Sequence, residues 1–122
     1  MAVDPTGEGL KRFLAEDPGG PVVMLNLLRF REGGQDSYAR YSKVLSEGVL
    51  ARYGAELLYY GKGSTALVAE DGQAWDAVLL VRYPSREVFC QMVADPDFQA
   101  VAHFRTEGLS EAVLQATVQV GG

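Results

Sequence analysis

The chain has 122 residues, 48% of them apolar and 22% charged, which suits one domain (1–122) with a real core and excludes a disordered or low-complexity chain. Its net charge of −5, with Lys and Arg scattered, argues against nucleic acid, which needs clustered cations. A single Cys (Cys90) and a single His (His103) exclude an intrachain disulfide and a zinc centre built on Cys or His.

No carboxylate cluster offers a metal site instead, so no metal or other cofactor is expected. Residues 1–11 mix charges with proline and contain no secretory apolar region. No apolar run approaches the ~20 residues of a membrane span, so a reduced, cytoplasmic setting without membrane contact is expected. In that setting Cys90, beside Phe89 on a helix, reads as a small buried hydrophobe rather than a nucleophile.

In chain order, residues 6–16 predict a short helix with Leu10, Phe13 and Leu14 on one side. Asp17-Pro18-Gly19-Gly20-Pro21 ends it, and residues 1–20 stand apart as a leading helix and turn before a core at 21–120. Residues 22–28 are an apolar run broken only by Asn26, too short for a good helix and suited to a central strand. After Gly33-Gly34 the period becomes helical over 35–53. Tyr38, Tyr41, Val44, Leu45, Gly48, Val49 and Tyr53 share one stripe, and Gly54 stands where a C-cap glycine belongs. Residues 55–68 read as a strand bent or bulged at Gly61 and Gly63. Glu70-Asp71-Gly72-Gln73 is a tight-turn sequence, and 75–83 is the next strand, stopped by Pro84. Ser85 caps a helix carrying Val88, Phe89, Met92 and Val93. Asp95-Pro96 interrupts and restarts it, with Phe98, Val101, Ala102 and Arg105 on one face of the second piece. Residues 111–120 form the last strand.

The core order is therefore strand, helix, strand, strand, helix, strand. This is the split βαβ pattern of an α+β, ferredoxin-like fold, a four-stranded antiparallel sheet with both helices on one face. The other face should look polar, and it does not. Alternation puts Val23, Leu25 and Leu27 opposite Val22, Met24, Asn26 and Leu28, and Val78 and Leu80 opposite Ala77, Leu79 and Val81. Covering roughly 500 Å² of such surface at ~25 cal/mol per Å² would release about 12 kcal/mol as an upper bound. A two-fold dimer that stacks two sheets is the simplest cover. The alternative is the leading helix folded beneath the sheet as a lid.

Several blocks resemble a known family. Val22-Val23-Met24-Leu25-Asn26-Leu27-Leu28-Arg29-Phe30-Arg31 is similar to the opening strand of the domain of unknown function 1330 family. The likeness continues through Trp75-Asp76-Ala77-Val78, Tyr83-Pro84-Ser85-Arg86 and Met92-Val93-Ala94-Asp95-Pro96-Asp97-Phe98-Gln99. It ends with His103-Phe104-Arg105 and Gly108-Leu109. The match spans roughly residues 21–117. It implies the dimeric α/β-barrel superfamily, which contains cofactor-independent monooxygenases, isomerases, lyases and haem-handling enzymes. The fold does not choose among them.

Two polar residues stand where apolar ones are expected. Asn26 interrupts the first strand, where an unpaired amide would cost about 1–3 kcal/mol, so a neighbouring group or a ligand must bond it. Arg105 falls near the centre of the Phe98 stripe and needs an anion. Asp76 or a C-terminal-region Glu could serve, and so could a substrate carboxylate or enolate. His103 lies on the flank of that helix and is a candidate for proton transfer, although such a His is commonly solvated. Tyr38, Tyr41, Tyr59 and Trp75 could wall a pocket, while Tyr38 and Tyr41 at i, i+3 also fit plain helix-to-sheet packing. Gly61-Lys62-Gly63-Ser64 does not open a helix and is no phosphate loop.

These features favour a small-molecule enzyme acting on an apolar, acidic substrate. Arg105 would clamp the anion, Asn26 orient a carbonyl, and His103 or a Tyr hydroxyl move a proton, in isomerisation, proton abstraction or oxygenation. A non-catalytic binding protein and a purely structural dimer are the rivals.

Overall fold

The structure, a computed structural model, describes residues 3–121. Its elements are α1 (Gly7–Ala15), β1 (Val22–Phe30), α2 (Gln35–Val44), α3 (Leu50–Arg52), β2 (Glu56–Lys62), β3 (Ala77–Tyr83), α4 (Arg86–Val93), α5 (Pro96–Gly108) and β4 (Leu109–Thr117). The strands form one antiparallel sheet in the order β2-β3-β1-β4, with β1 pairing both β3 and β4. That order is the ferredoxin-like one.

Local chemistry explains the boundaries. Thr6 caps α1 by accepting from Gly9 N at 2.9 Å, Ser85 caps α4 through Val88 N, and Asp95 caps α5 ahead of Pro96. Gly54 follows α3 at φ +66°, the left-handed conformation that glycine adopts without strain. Between α2 and α3 the helix widens into one π-turn over Leu45–Val49 without losing its direction. The turn at Glu70 to Gln73 forms as expected, with Gly72 at φ +83° and Gln73 N donating to Glu70 O at 3.1 Å.

Several strand limits differ from the sequence reading; β1 runs on to Phe30 and β4 starts at Leu109. β2 stops at Lys62 rather than reaching residue 68, because the ladder closes where Gly63 N donates to Asp76 O at 2.8 Å. Its bulge falls between Leu57 and Tyr59, not at the glycines. Gly61 and Gly63 have other uses. A Cβ on Gly61 would collide with the Tyr59 ring, and one on Gly63 would lie 1.8 Å from the Trp75 carbonyl oxygen. Trp75 and Asp76 precede β3, and β4 ends at Thr117, leaving Val118 and Val120 exposed.

The helix-facing alternates of the sheet build the core. Val22, Met24, Leu28, Ala77, Leu79, Val81 and Leu109 are buried against Tyr38, Tyr41, Leu45, Val49, Phe89, Met92 and Phe98. The opposite alternates, Val23, Leu25, Leu27, Val78, Leu80 and Val113, do not join that core and stay partly exposed. The leading helix does not cover them. α1 lies on the helical side, where Phe13 meets Phe89 edge-on at 5.6 Å and Arg86 Nη1 donates to Phe13 O at 2.9 Å. The lid alternative is thereby removed, and the apolar face is left bare.

Candidate functional site

A cavity of about 240 Å³ lies between the sheet and the helices. β1 contributes Asn26, β3 Tyr83 and β4 Leu114 to its floor, by the same alternation that buries the core. α2 supplies Tyr41, α4 supplies Phe89, Met92 and Val93, and α5 supplies Phe98, Gln99, Ala102 and Arg105. Asp4, Pro5 and Leu10 close its flank.

Arg105 is the charged member. Its side chain is 9% exposed. Nη1 donates to Val3 O and approaches Asp4 Oδ1 at 3.3 Å, and Thr106 Oγ1 holds the same Asp4 oxygen at 2.9 Å. Nη2 is buried and has no partner among the described residues. A buried donor on a cation left without an acceptor costs more than the ~1–3 kcal/mol of a neutral one. Neither acid suggested by the sequence serves Arg105. Asp76 instead accepts from Phe30 N at 2.9 Å, and the C-terminal-region Glu111 pairs with Arg29 on the bare face.

Asn26 donates through Nδ2 to Met24 O at 3.3 Å, the one hydrogen bond of its side chain among the described residues. It touches both the main cavity and a smaller one of about 60 Å³ beside Tyr38 and Tyr41. Tyr38 and Tyr41 are buried with ring centroids 5.5 Å apart. Burial pushes the phenols of Tyr38, Tyr41 and Tyr83 far above their ordinary range, and the nearby Arg105 charge only partly opposes this at Tyr38 and Tyr41. Near neutral pH all three are hydrogen-bond donors, not bases. Burial likewise raises the Cys90 thiol, which keeps it protonated and inert.

The structure thus gathers Asn26, Tyr41 and Arg105 at one cavity with Tyr38 behind them. It does not bring the other candidates there. His103 is exposed, its Nδ1 3.3 Å from Glu107 Oε1 and its ring against Phe104, because its position on α5 points outward while Arg105 points in. Tyr59 is 56% exposed on β2, since the bulge turns it to the bare side of the sheet opposite Leu80. Trp75 stacks on Arg29 at 4.5 Å from a loop that Arg29 Nη2 also anchors at Gly72 O and Ala74 O. Three polar cavity residues, Tyr83, Gln99 and Asp4, were not among the candidates read from the sequence. Tyr83 was legible, sharing a strand face with Ala77, Leu79 and Val81; Asp4 carries no local signal.

A family model described as "Domain of unknown function (DUF1330)" matches residues 28–117. The chain belongs to this family. Among solved structures, the DUF1330 chain is similar to a protein of unknown function from Rhodopseudomonas palustris, with 28% identity, TM-score 0.88 and 98% of each chain covered. It also resembles a dimeric ferredoxin-like protein of unknown function from Thermobifida fusca, at 18% identity and TM-score 0.56, covering 84% of this chain and 93% of that one. A candidate antibiotic biosynthesis monooxygenase from Caulobacter crescentus aligns at 15% identity and TM-score 0.60, over 84% and 92% of the two chains. These likenesses share the ferredoxin-like fold. No curated protein matches.

Proposed function

We propose that this DUF1330 chain works as a cytoplasmic homodimer in which each cavity holds an apolar, acidic small molecule for cofactor-independent proton-transfer, isomerase or oxygenase chemistry. The observation that carries the reading is the buried Nη2 of Arg105, which has no partner among the described residues and belongs to a mostly apolar cavity wall. A carboxylate or enolate oxygen would satisfy it. Asn26 is placed to orient a carbonyl, and the Tyr41 and Tyr83 phenols can donate to an oxyanion that develops as a carbon acid ionises. Their raised pKa values keep them protonated, as hydrogen-bond donors that cannot act as bases, so the abstracted proton has to go to a carboxylate. Asp4 is the carboxylate among the cavity-lining residues.

Calorimetric titration with hexanoate and 3-phenylpropanoate tests the anchor. Wild type is expected to bind both, and Arg105→Gln to lose ten- to hundredfold, the ~1.5–3 kcal/mol of a charge-assisted hydrogen bond. Equal affinities in the two proteins would remove Arg105 from the site.

A non-catalytic binding protein is the second reading, favoured by the exposure of His103 away from the cavity. Deuterium wash-in from solvent at the acidic carbon of a β-keto acid separates the two. Exchange faster than in buffer supports the enzyme, and binding without exchange supports the carrier.

A further inference from the structure

The cavity at Arg105 is small for its company. Its volume of about 240 Å³ falls below the ~300–1,000 Å³ of ordinary ligand sites. A second cavity of about 370 Å³ adjoins it beneath α1, and the two share Asp4, Pro5, Leu10, Phe89 and Leu114 as common walls. Beyond those walls the second chamber is lined mainly by apolar groups, among them Phe13, Met24, Ala112 and Ala116. Small side chains on β4 make this room. Ala112 and Ala116 flank Leu114 on the helix-facing side, where larger residues would bring the sheet against α1.

We infer that the ligand is a linear amphipathic carboxylic acid, its head at Arg105 and its hydrocarbon tail running under α1 along β4. The inference rests on the anion reading of Arg105 and adds the shape of the molecule. Counting a methylene as roughly one water's ~30 Å³, the second chamber admits up to about a dozen of them. Each methylene that moves from water onto those walls tightens binding by about three- to fourfold. A compact aryl acid fills the first chamber only and gains nothing from the second.

The test is a titration of the full-length protein with straight-chain saturated acids from butanoate to tetradecanoate, kept below their micelle concentrations. Affinity should climb about three- to fourfold per methylene and then level off. Ala116→Leu and, separately, Ala112→Leu should move that plateau to shorter chains while leaving butanoate binding and the unfolding midpoint near wild type. Arg105→Gln should weaken every member of the series. Affinity independent of chain length, with short or aryl acids still bound through Arg105, overturns the tail channel and spares the anion site. Alcohols of matched length that bind as well as the acids, or no binding by any acid, overturn both.

Discussion

At the scale of single residues, the chain keeps its ionic interactions for joining segments. Asp95 accepts from Tyr53 OH at 2.5 Å, Arg52 Nη1 at 2.8 Å and Asp97 N at 2.7 Å, tying the end of α3 to the start of α5. The Tyr53 and Arg52 hydrogen bonds hold its carboxyl at about 2, below the usual 3.8. A depressed carboxylate stabilises the fold fully above its unfolded pKa and loses that contribution as pH falls through the folded value. Stability from Asp95 is therefore expected to persist to about pH 4 and to disappear toward pH 2. Urea midpoints for wild type and Asp95→Asn should differ most near neutrality and converge across that window. A constant difference down to pH 2 would show that the charge is not what matters. Asp95 was legible as a cap because a proline follows it, but its side-chain partners Tyr53 and Arg52 lie 42 and 43 positions away and leave no local mark. The same holds for Arg105. Its inward direction followed from helical periodicity, whereas Val3 and Asp4 as its neighbours did not. His103 shows the limit of chemical type as a guide, since an imidazole two positions from Arg105 is carried to the opposite surface.

Among the elements, a tight helix–helix junction forms where α2 begins and α5 ends. Gly34 and Gly108 lie so close that a Cβ on Gly34 would sit 2.2 Å from the Gly108 carbonyl oxygen, and Arg31 N donates to that oxygen at 2.9 Å. Ser37 Oγ adds a bond to Phe104 O at 2.9 Å. Gly34→Ala is expected to cost about 1–3 kcal/mol of stability by overpacking, measured by chemical denaturation, whereas Gly7→Ala in the open first turn of α1 should be near neutral. Helices and caps were legible because periodicity and capping chemistry are local. The extent of β2 was not. A run such as Thr65 to Val68 has the side chains of a strand, yet Leu67 and Val68 stand 93% and 96% exposed in a loop, because pairing with β3 ends at Lys62.

For the molecule as a whole, the bare sheet face is the surface through which the proposed dimer would form. Val23, Leu25, Leu27, Val78, Leu80 and Val113 form one apolar surface outside the core, and edge strand β2 adds Tyr59, opposite Leu80 and 56% exposed. Leu27→Glu places a charge at the centre of this face without touching the core. It is expected to give a monomer of 13.2 kDa in sedimentation velocity at concentrations where wild type sediments as a dimer. A monomeric wild type would remove the dimer from the proposed function while leaving the cavity within each subunit intact. Strand alternation made this face legible from the residues alone. The second chamber was not, since it depends on how α1 and the segment before it lie over β4.

The stacking of Trp75 on Arg29 has a practical corollary. This is the chain's one indole, fastened beside a cation at the rim of the uncovered surface and outside the cavity walls. Under the proposed pairing, its emission colour and anisotropy should change on dilution and ignore a guest in the interior, an optical gauge of pairing separate from occupancy.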